Sequence, residues 1–311
     1  MDSNKLNNFP HIYYTNADHR VERKKYMEDQ FNSLGLEYTR IGMLTGPKDG
    51  PPKKFLNKLT GKYSPSTSQW INWQSSLIFD FFQKWINTTK DPYFIFMEDD
   101  YDLSLVNRWH FTWDQFMNKL PYDWDCIQLG FESPDKICFY LHPTRNQYSL
   151  GASLLRRDYV EKLLSLHVID EKYKFDYTIA NSIYTTRESG IHDNMDYSYT
   201  SGGQDYFINQ SGSCYSIPLI PINPYFIGIS HGSSPGNVNP DWTTVSWHPK
   251  MSFVKCYEAY YEWWNNDRDN FTLDEFFTFG KNNDILMERD MSKWEDKYFY
   301  RIAMKTKLNY A

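Results

Sequence analysis

The chain has 311 residues, of which 41% are hydrophobic and 23% are charged, and its formal net charge is −6. This length and composition suffice for one large globular α/β domain, or for one domain with an appendage. The basic stretches are no longer than the triplet that ends in Lys24-Lys25, and a phosphate backbone is bound by clustered Lys and Arg. These features argue against nucleic-acid binding as the main role. Aromatic residues make up 18% of the chain, which suits a hydrophobic core or sugar-binding surfaces.

The cysteines, the N-terminus and the hydrophobic runs predict where the protein resides. The four cysteines form no C-x-x-C pair, and four in a chain of this length are not a disulfide scaffold. The first residues contain no apolar signal-peptide core, and no run of 18 apolar residues is long enough to cross a membrane. The sequence therefore predicts a reduced, cytoplasmic protein without a membrane span.

Hydrophobic periodicity predicts alternating strands and helices. The predicted strands cover residues 10–15, 37–44, 92–97, 124–129 and 147–155, and the predicted helices cover 21–34, 70–85, 103–119 and 157–166. Capping groups are expected in residues 16–20 and at Asp102. Short strands are expected in 203–236 and mainly helices in 250–311. The strand at 92–97 is apolar enough to be buried on both faces, which predicts an α/β fold with a mostly parallel central sheet.

Three consecutive carboxylates, Glu98, Asp99 and Asp100, directly follow the strand predicted at residues 92–97. Ligands of open α/β sheets bind beyond the carboxyl ends of the strands, so these carboxylates lie where a site is expected. Glu98 and Asp100 face the same side of an extended segment, where they can hold Mg²⁺ or Mn²⁺ against the diphosphate of a nucleotide-sugar. The alternative is a solvated acidic turn or a cap of the next helix.

The segment Gly202-Gly203-Gln204-Asp205-Tyr206 is a second candidate. Two glycines before a carboxylate allow unusual backbone dihedrals and a close approach to a ligand. Asp205 is therefore a candidate general base for an acceptor hydroxyl. A turn in which Asp205 bonds to the local backbone fits these residues equally well.

The histidine in the segment Ile229-Ser230-His231-Gly232 is a third candidate. His231 can complete a metal shell or contact a phosphate, although a lone histidine is more often structural or exposed. The other histidines have no metal-ligand spacing, and the sequence contains no P-loop, G-x-G-x-x-G or G-x-S-x-G motif.

The order of these motifs resembles glycosyltransferase family 25, which includes lipooligosaccharide and collagen galactosyltransferases. The resemblance covers about residues 10–235, and the matching segments are 12–23, 66–73, 94–100, 151–164 and 204–206. The apolar strand followed by Glu-Asp-Asp is its most specific part. The chain departs from the family's pattern at Asn16, at Gln69, which stands where the family usually has His, and at the two glycines before Asp205. These departures indicate a distant member.

The resemblance implies a GT-A fold over residues 1–249, with a helical extension at 250–311 packed on it. It further implies a divalent metal, Mn²⁺ or Mg²⁺, held by Asp100, Glu98 and His231, and a nucleotide-sugar bound near Asn16, Arg20, Arg23, Glu98 and Asp99. The forked donors of Arg suit a diphosphate, although either arginine can instead face solvent in a helix N-terminal turn. Family members usually invert the anomeric centre, which makes Asp205 the expected base.

These inferences predict a metal-dependent hexosyltransferase, with a UDP-linked donor by analogy and a glycan, as in lipopolysaccharide biosynthesis, or another hydroxyl compound as acceptor. Two alternatives stay open. A metal-dependent phosphoesterase is one use of the same acidic cluster with Asp205 and His231, although the several spaced ligands of a two-metal site are missing from the sequence. A non-catalytic carbohydrate-binding protein is the other, because of the many Trp and Tyr residues.

Overall fold

The computed structural model describes residues 5–43, 69–132, 136–144, 148–173, 208, 211–223, 253–277 and 288–290. The helices are α1 (Val21–Leu34), α2 (Gln69–Thr88), α3 (Trp113–Lys119), α4 (Arg157–His167), α5 (Phe253–Glu262) and α6 (Leu273–Phe276). The strands are β1 (Ile12–Ala17), β2 (Tyr38–Met43), β3 (Tyr93–Met97), β4 (Cys126–Glu132), β5 (Lys136–Cys138), β6 (His142–Pro143), β7 (Tyr148–Arg156), β8 (Val168–Ile169), β9 (Lys172–Tyr173), β10 (Cys214–Ser216) and β11 (Glu288–Asp290). Short 3₁₀ helices cover Ser104–Arg108 and Arg268–Asn270, and a π-helical turn covers Trp263–Asp267.

The N-terminal β1–α1–β2 unit follows the predicted pattern closely. In α1 the apolar residues Met27 and Phe31 lie one turn apart and are fully buried. The helix ends at Gly35, whose φ of 66° is the left-handed conformation that glycine adopts without a Cβ penalty. The chain then returns so that β2 pairs in parallel with β1. The predicted capping by residues 16–20 is wrong, because the N-cap is Arg20 and it forms no side-chain capping bond.

Seven of the described strands form one mixed sheet, in the order β2-β1-β3-β7-β4-β10-β6. β1 is parallel to β2 and β3, and β10 is parallel to β4. β7 is antiparallel to both of its neighbours, and β6 is antiparallel to β10. Five of these seven strands therefore point in one direction. The predicted α/β class is confirmed in this form, with β7 running against the parallel strands on either side of it.

Strand β3 is buried on both faces, as its unbroken apolar sequence predicts. Ile95 and Met97 belong to one core cluster, which also contains residues of α1. Phe94 and Phe96 belong to a second cluster on the opposite face, which contains residues of α2 and α4. The alternation of side chains along a strand explains this division. The sheet is thus packed between helices, and the side chains of β3 are fixed in core clusters on both of its faces.

The helix predicted at residues 103–119 is wrong, because two short helices replace it. The first ends at Trp109, whose φ of −57° and ψ of 135° leave the helical region, and Trp109 and Phe111 are both buried in the same core cluster. Thr112 then starts α3 with a capping box, in which Thr112 and Gln115 exchange side-chain and backbone hydrogen bonds.

The described part of the C-terminal region packs into the first core cluster. Its buried members there include Ala259, Tyr260, Trp263, Trp264 and Phe276. Strand β11 pairs antiparallel with β5, so this region also contributes a strand. The expected domain at residues 1–249 and the helical extension at 250–311 stay predictions, since much of both ranges lies outside the described residues.

Two findings concern the setting of the protein. Within the described ranges, no helix is both long enough and apolar enough to span a membrane. The four cysteines, Cys126, Cys138, Cys214 and Cys256, are all buried as thiols and form no disulfide with one another. Burial raises the pKa of the Cys126 thiol well above its ordinary value, and its neighbour Cys214 raises it further, so this thiol stays protonated.

Candidate functional site

The candidate site lies where β1 and β3 end side by side. These strands are parallel neighbours, with Ile12 opposite Ile95 and Tyr14 opposite Met97. Because both strands run in the same direction, the residues that follow them meet at one edge of the sheet. Asn16, at the end of β1, and Asp99, just after β3, are brought into hydrogen-bond contact across 83 positions of sequence.

Arg23 is the cation of this cluster. It lies in the first turn of α1, is only 6% exposed, and donates from Nη1 to Oδ1 of Asp99 at 2.6 Å and to Oδ2 of Asp100 at 3.1 Å. Burial lowers the pKa of Arg23, but the charges of Asp100 and Asp99 raise it by more, so the net shift is upward. Arg23 is therefore a fixed positive charge that holds both aspartates.

Asp99 is held on both of its oxygens. Oδ1 accepts from Arg23, and Oδ2 accepts from Nδ2 of Asn16 at 2.7 Å. The same Asn16 nitrogen donates to the Arg20 carbonyl at 3.1 Å. These bonds make Asp99 a buried anchor of the turn. Direct contact of Asn16, Arg23 and Asp99 with a nucleotide stays a prediction.

In Asp100, unlike Asp99, only one carboxylate oxygen accepts a hydrogen bond from the described residues. Oδ2 accepts from Arg23, whereas Oδ1 is buried and has no hydrogen-bond partner among the described residues. Burial raises the pKa of Asp100 above its ordinary value, Arg23 opposes the shift, and Asp99 adds to it. Leaving a carboxylate oxygen buried and unbonded is costly, and a hard divalent cation is a partner that relieves the cost. Asp100 thus fits one position of a metal shell.

Glu98 and Arg20 border this cluster. Glu98 is half-buried, and its backbone N–H donates to the Gly151 carbonyl at 3.1 Å, which ties the turn to β7. Arg20 is also half-buried; burial and then the charge of Arg23 lower its pKa, while Asp99 and Asp100 raise it. No group of three or more His, Cys, Asp and Glu arranged to hold a metal occurs among the described residues.

Asp205 and His231 lie outside the described residues. Their predicted roles as base and metal ligand stay predictions, as does the complete set of metal ligands. Of the predicted metal ligands, Glu98 and Asp100 are among the described residues, and one Asp100 oxygen has no hydrogen-bond partner there.

The acidic turn, residues 98–104, is braced by two distant parts of the chain and by one hydrogen bond within the turn. Gln30 of α1 donates to the Tyr101 carbonyl at 3.1 Å and accepts from the Leu103 N–H at 2.7 Å. The Asp100 carbonyl accepts from the Asn223 N–H at 2.6 Å. Oδ1 of Asp102 accepts from the Ser104 N–H at 2.8 Å, but the N-cap of the 3₁₀ helix is Leu103, so the predicted cap at Asp102 is wrong. These bonds fix the backbone on both sides of Asp100.

Arg40 of β2 is a residue of this cluster that the sequence did not reveal. It donates from Nε to Oδ1 of Asn16 at 2.9 Å, and from Nη2 to Oδ1 of Asp18 at 2.5 Å. A lone arginine in a strand is an ordinary surface residue by pattern. Only the register of β1 on β2 brings it next to Asn16.

A separate groove of about 350 Å³ lies between α2 and the β1–β2 edge. Its lining includes Tyr13, Phe81 and Trp85, with Lys84 and Arg40 among the charged residues. The carboxylates of the acidic turn do not line it. We place the candidate site at the turn, because the buried ion pairs are there, together with the Asp100 oxygen that has no hydrogen-bond partner among the described residues.

Comparisons with known proteins assign no family to this chain. No protein-family model matches the sequence, and no curated protein matches it at a significant level. Support for a function therefore comes from the chemistry of the site and from the resemblance between motifs.

Proposed function

We propose that this protein is an inverting, metal-dependent glycosyltransferase of the GT-A type, which transfers a hexose from a nucleotide-sugar, UDP-linked by analogy, to a hydroxyl of a glycan or another acceptor. The observation that supports this proposal is the buried Arg23–Asp99–Asp100 cluster at the ends of β1 and β3, with one Asp100 oxygen unbonded among the described residues.

The charge of this cluster favours a cation between protein and diphosphate. Arg23 and its neighbour Arg20 face Asp99, Asp100 and Glu98, which leaves a net charge of −1. A bare diphosphate is repelled by such a site, whereas Mn²⁺ or Mg²⁺ is attracted to it. In the proposal Asp100 holds the ion with Glu98 and His231, and the bound ion stabilises charge on the leaving diphosphate.

The remaining residues take roles that their chemistry suits. Arg20 is half-buried next to the cluster and lies at the start of α1, where backbone N–H groups favour negative charge, so it is our candidate for contact with the diphosphate. Asp205 is the proposed base that removes the proton of the acceptor hydroxyl on the face opposite the leaving group.

Release of nucleoside diphosphate from a panel of nucleotide-sugars, with glycan acceptors and Mn²⁺, tests the proposal. We expect Asp100→Asn to lower the rate by about 100-fold or more, because it removes a charged ligand oxygen where charge develops. Asp158→Asn is the matched control, since Asp158 is exposed and pairs only on the surface with Arg156. If Asp100→Asn retains full transfer activity, the assignment of Asp100 as a metal ligand is wrong. Hydrolysis of phosphoesters without an acceptor favours the phosphoesterase.

A further inference from the structure

We propose that Arg40, on strand β2, is a positioning residue for the acidic turn: it orients the amide of Asn16, which fixes the carboxylate of Asp99. The role of the turn itself rests on the proposed function. The hydrogen-bond relay from Arg40 to Asp99 rests on geometry alone.

Arg40 holds Asn16 at two points. Its Nε donates to Oδ1 of the Asn16 side chain at 2.9 Å, and its Nη2 donates to the Asn16 backbone carbonyl at 3.2 Å. Nη2 also donates to Oδ1 of Asp18 at 2.5 Å, so the guanidinium is anchored from a third direction. A planar fork with several donors makes this arrangement, and a lysine ammonium does not reproduce it.

These contacts determine which way the Asn16 amide points. A guanidinium has only donors, so the side of the amide that faces Arg40 must be its oxygen. The NH₂ group then faces two acceptors, the Arg20 carbonyl at 3.1 Å and Oδ2 of Asp99 at 2.7 Å. A flipped amide sets NH₂ against the guanidinium and oxygen against the carboxylate, which is unfavourable at both ends.

The sheet provides the space for this contact. In the parallel register Arg40 lies opposite Tyr14, and Gly42 lies opposite Asn16, so Arg40 and Asn16 share one face of the sheet. A Cβ at position 42 would lie 3.3 Å from Oδ1 of Asp18 and 3.7 Å from Nη1 of Arg40. The glycine therefore leaves room for the guanidinium to cross towards Asn16.

The relay reaches the proposed metal ligand through Asp99. Asn16 holds one oxygen of Asp99, and Arg23 holds the other with the same nitrogen that bonds to Asp100. When Arg40 is removed, only the Arg20 carbonyl and Asp99 orient the Asn16 amide, and the donor to Asp99 is less firmly fixed. Arg23 and Asp100 are then less well placed, although Arg40 touches neither.

A double-mutant cycle on stability tests the relay without any ligand. Urea unfolding is measured for wild type, Arg40→Lys, Asp99→Asn and the double variant, with Asp100→Asn replacing Asp99→Asn if that variant does not fold. For the double variant we expect a change in the unfolding equilibrium constant that differs by about threefold or more from the product of the two single-variant changes. Residues of one network show such coupling. Additive effects overturn the relay. The same cycle is repeated with Arg40→Met. If Arg40→Met couples to the aspartate variant and Arg40→Lys does not, the positive charge alone explains the coupling and the relay is overturned.

A calorimetric Mn²⁺ titration of the full chain tests the positioning role. Arg40→Lys and Arg40→Met should raise the Kd for Mn²⁺ by about 10-fold, the lower end of the range for residues behind metal ligands. Lys25→Met, which removes an exposed cation of α1, should leave it unchanged. An unchanged Kd in both Arg40 variants refutes the positioning role. If wild type binds no Mn²⁺, the proposed function fails, and the cycle alone decides whether Arg40 orders the turn.

Discussion

The phenol of Tyr257 donates a hydrogen bond of 2.7 Å to Oδ2 of Asp102, a residue 155 positions earlier in the chain. Tyr261 donates to the same oxygen at 3.2 Å. Helix α5 thereby holds a residue of the acidic turn. Burial, and then the charge of Asp102, raise the pKa of Tyr257, so its phenol stays protonated as a donor.

Tyr257→Phe should therefore destabilise the protein by about 1.5–3 kcal/mol, the contribution of a buried hydrogen bond to a charged group. Urea unfolding measures the change. Tyr122→Phe is the control, because Tyr122 is 96% exposed and its substitution should change stability little. A loss below 0.5 kcal/mol in Tyr257→Phe, on the order of a typical surface substitution, contradicts an anchoring role.

Gly151→Ala should destabilise the protein by more than about 2 kcal/mol, because strain and overpacking add. Gly151 has a φ of 61°, and a Cβ there would lie 2.5 Å from the Gly130 carbonyl oxygen and 2.5 Å from the Tyr101 hydroxyl. Gly35→Ala is the matched control: it has a similar φ of 66° but no atom within 4 Å of a Cβ, so it should cost only about 1 kcal/mol. Equal losses in the two variants would mean that crowding at Tyr101 is unimportant.

Arg23→Met should destabilise the fold by about 3–5 kcal/mol at neutral pH, because it leaves two buried carboxylates without their cation. Burial already raises the pKa of Asp100, and removing Arg23 raises it further. A folded-state pKa above the unfolded one means that the folded state binds more protons, so the variant recovers stability as the pH falls. Chemical denaturation at pH 7.5 and 5.5 should give a smaller deficit at pH 5.5. Arg108→Met, an exposed change of the same charge, should give no deficit at either pH.

The burial of His110 predicts that the folded state loses stability as the pH falls, the opposite of the change expected for Arg23→Met. It packs against Phe111, Trp264 and Phe276, and neither ring nitrogen has a hydrogen-bond partner among the described residues. Burial, then the charge of Arg268, lower its pKa. The unfolded state therefore binds more protons, and stability is lost as the pH falls below the ordinary histidine value of about 6.5.

His110→Gln should reduce this loss of stability between pH 7.5 and 5.5. Thermal unfolding across that range measures it, with His19→Gln as the control because His19 is exposed. If His110→Gln and wild type lose the same stability over this range, His110 is not the group responsible.

The sequence allowed the local elements to be predicted better than the contacts between them. The bounds of α1 were correct because Met27, Phe31 and Gly35 carry a local signal. The helix at residues 103–119 was wrong because the backbone leaves the helical region between Trp109 and Thr112, where Trp109 and Phe111 pack into a cluster with distant residues. No local pattern contains such a long-range requirement.

The site was predictable only in outline, for the same reason. An apolar strand that ends in three carboxylates indicated the turn and its position at the sheet edge. The partners of these carboxylates could not be predicted, because the Asn16–Asp99 bond depends on the β1–β3 pairing and the Arg40–Asn16 bond on the β1–β2 register.

The central claim is a metal-dependent nucleotide-sugar site at Asp100, and a thermal-shift screen tests it most directly. Melting temperatures are measured with each nucleotide-sugar, with and without Mn²⁺, for wild type and Asp100→Asn, since a ligand that binds the folded state raises the melting temperature. We predict that one nucleotide-sugar stabilises wild type only when Mn²⁺ is present, and that Asp100→Asn abolishes the shift. No shift of folded wild type with any nucleotide-sugar, or an equal shift in Asp100→Asn, would contradict the claim.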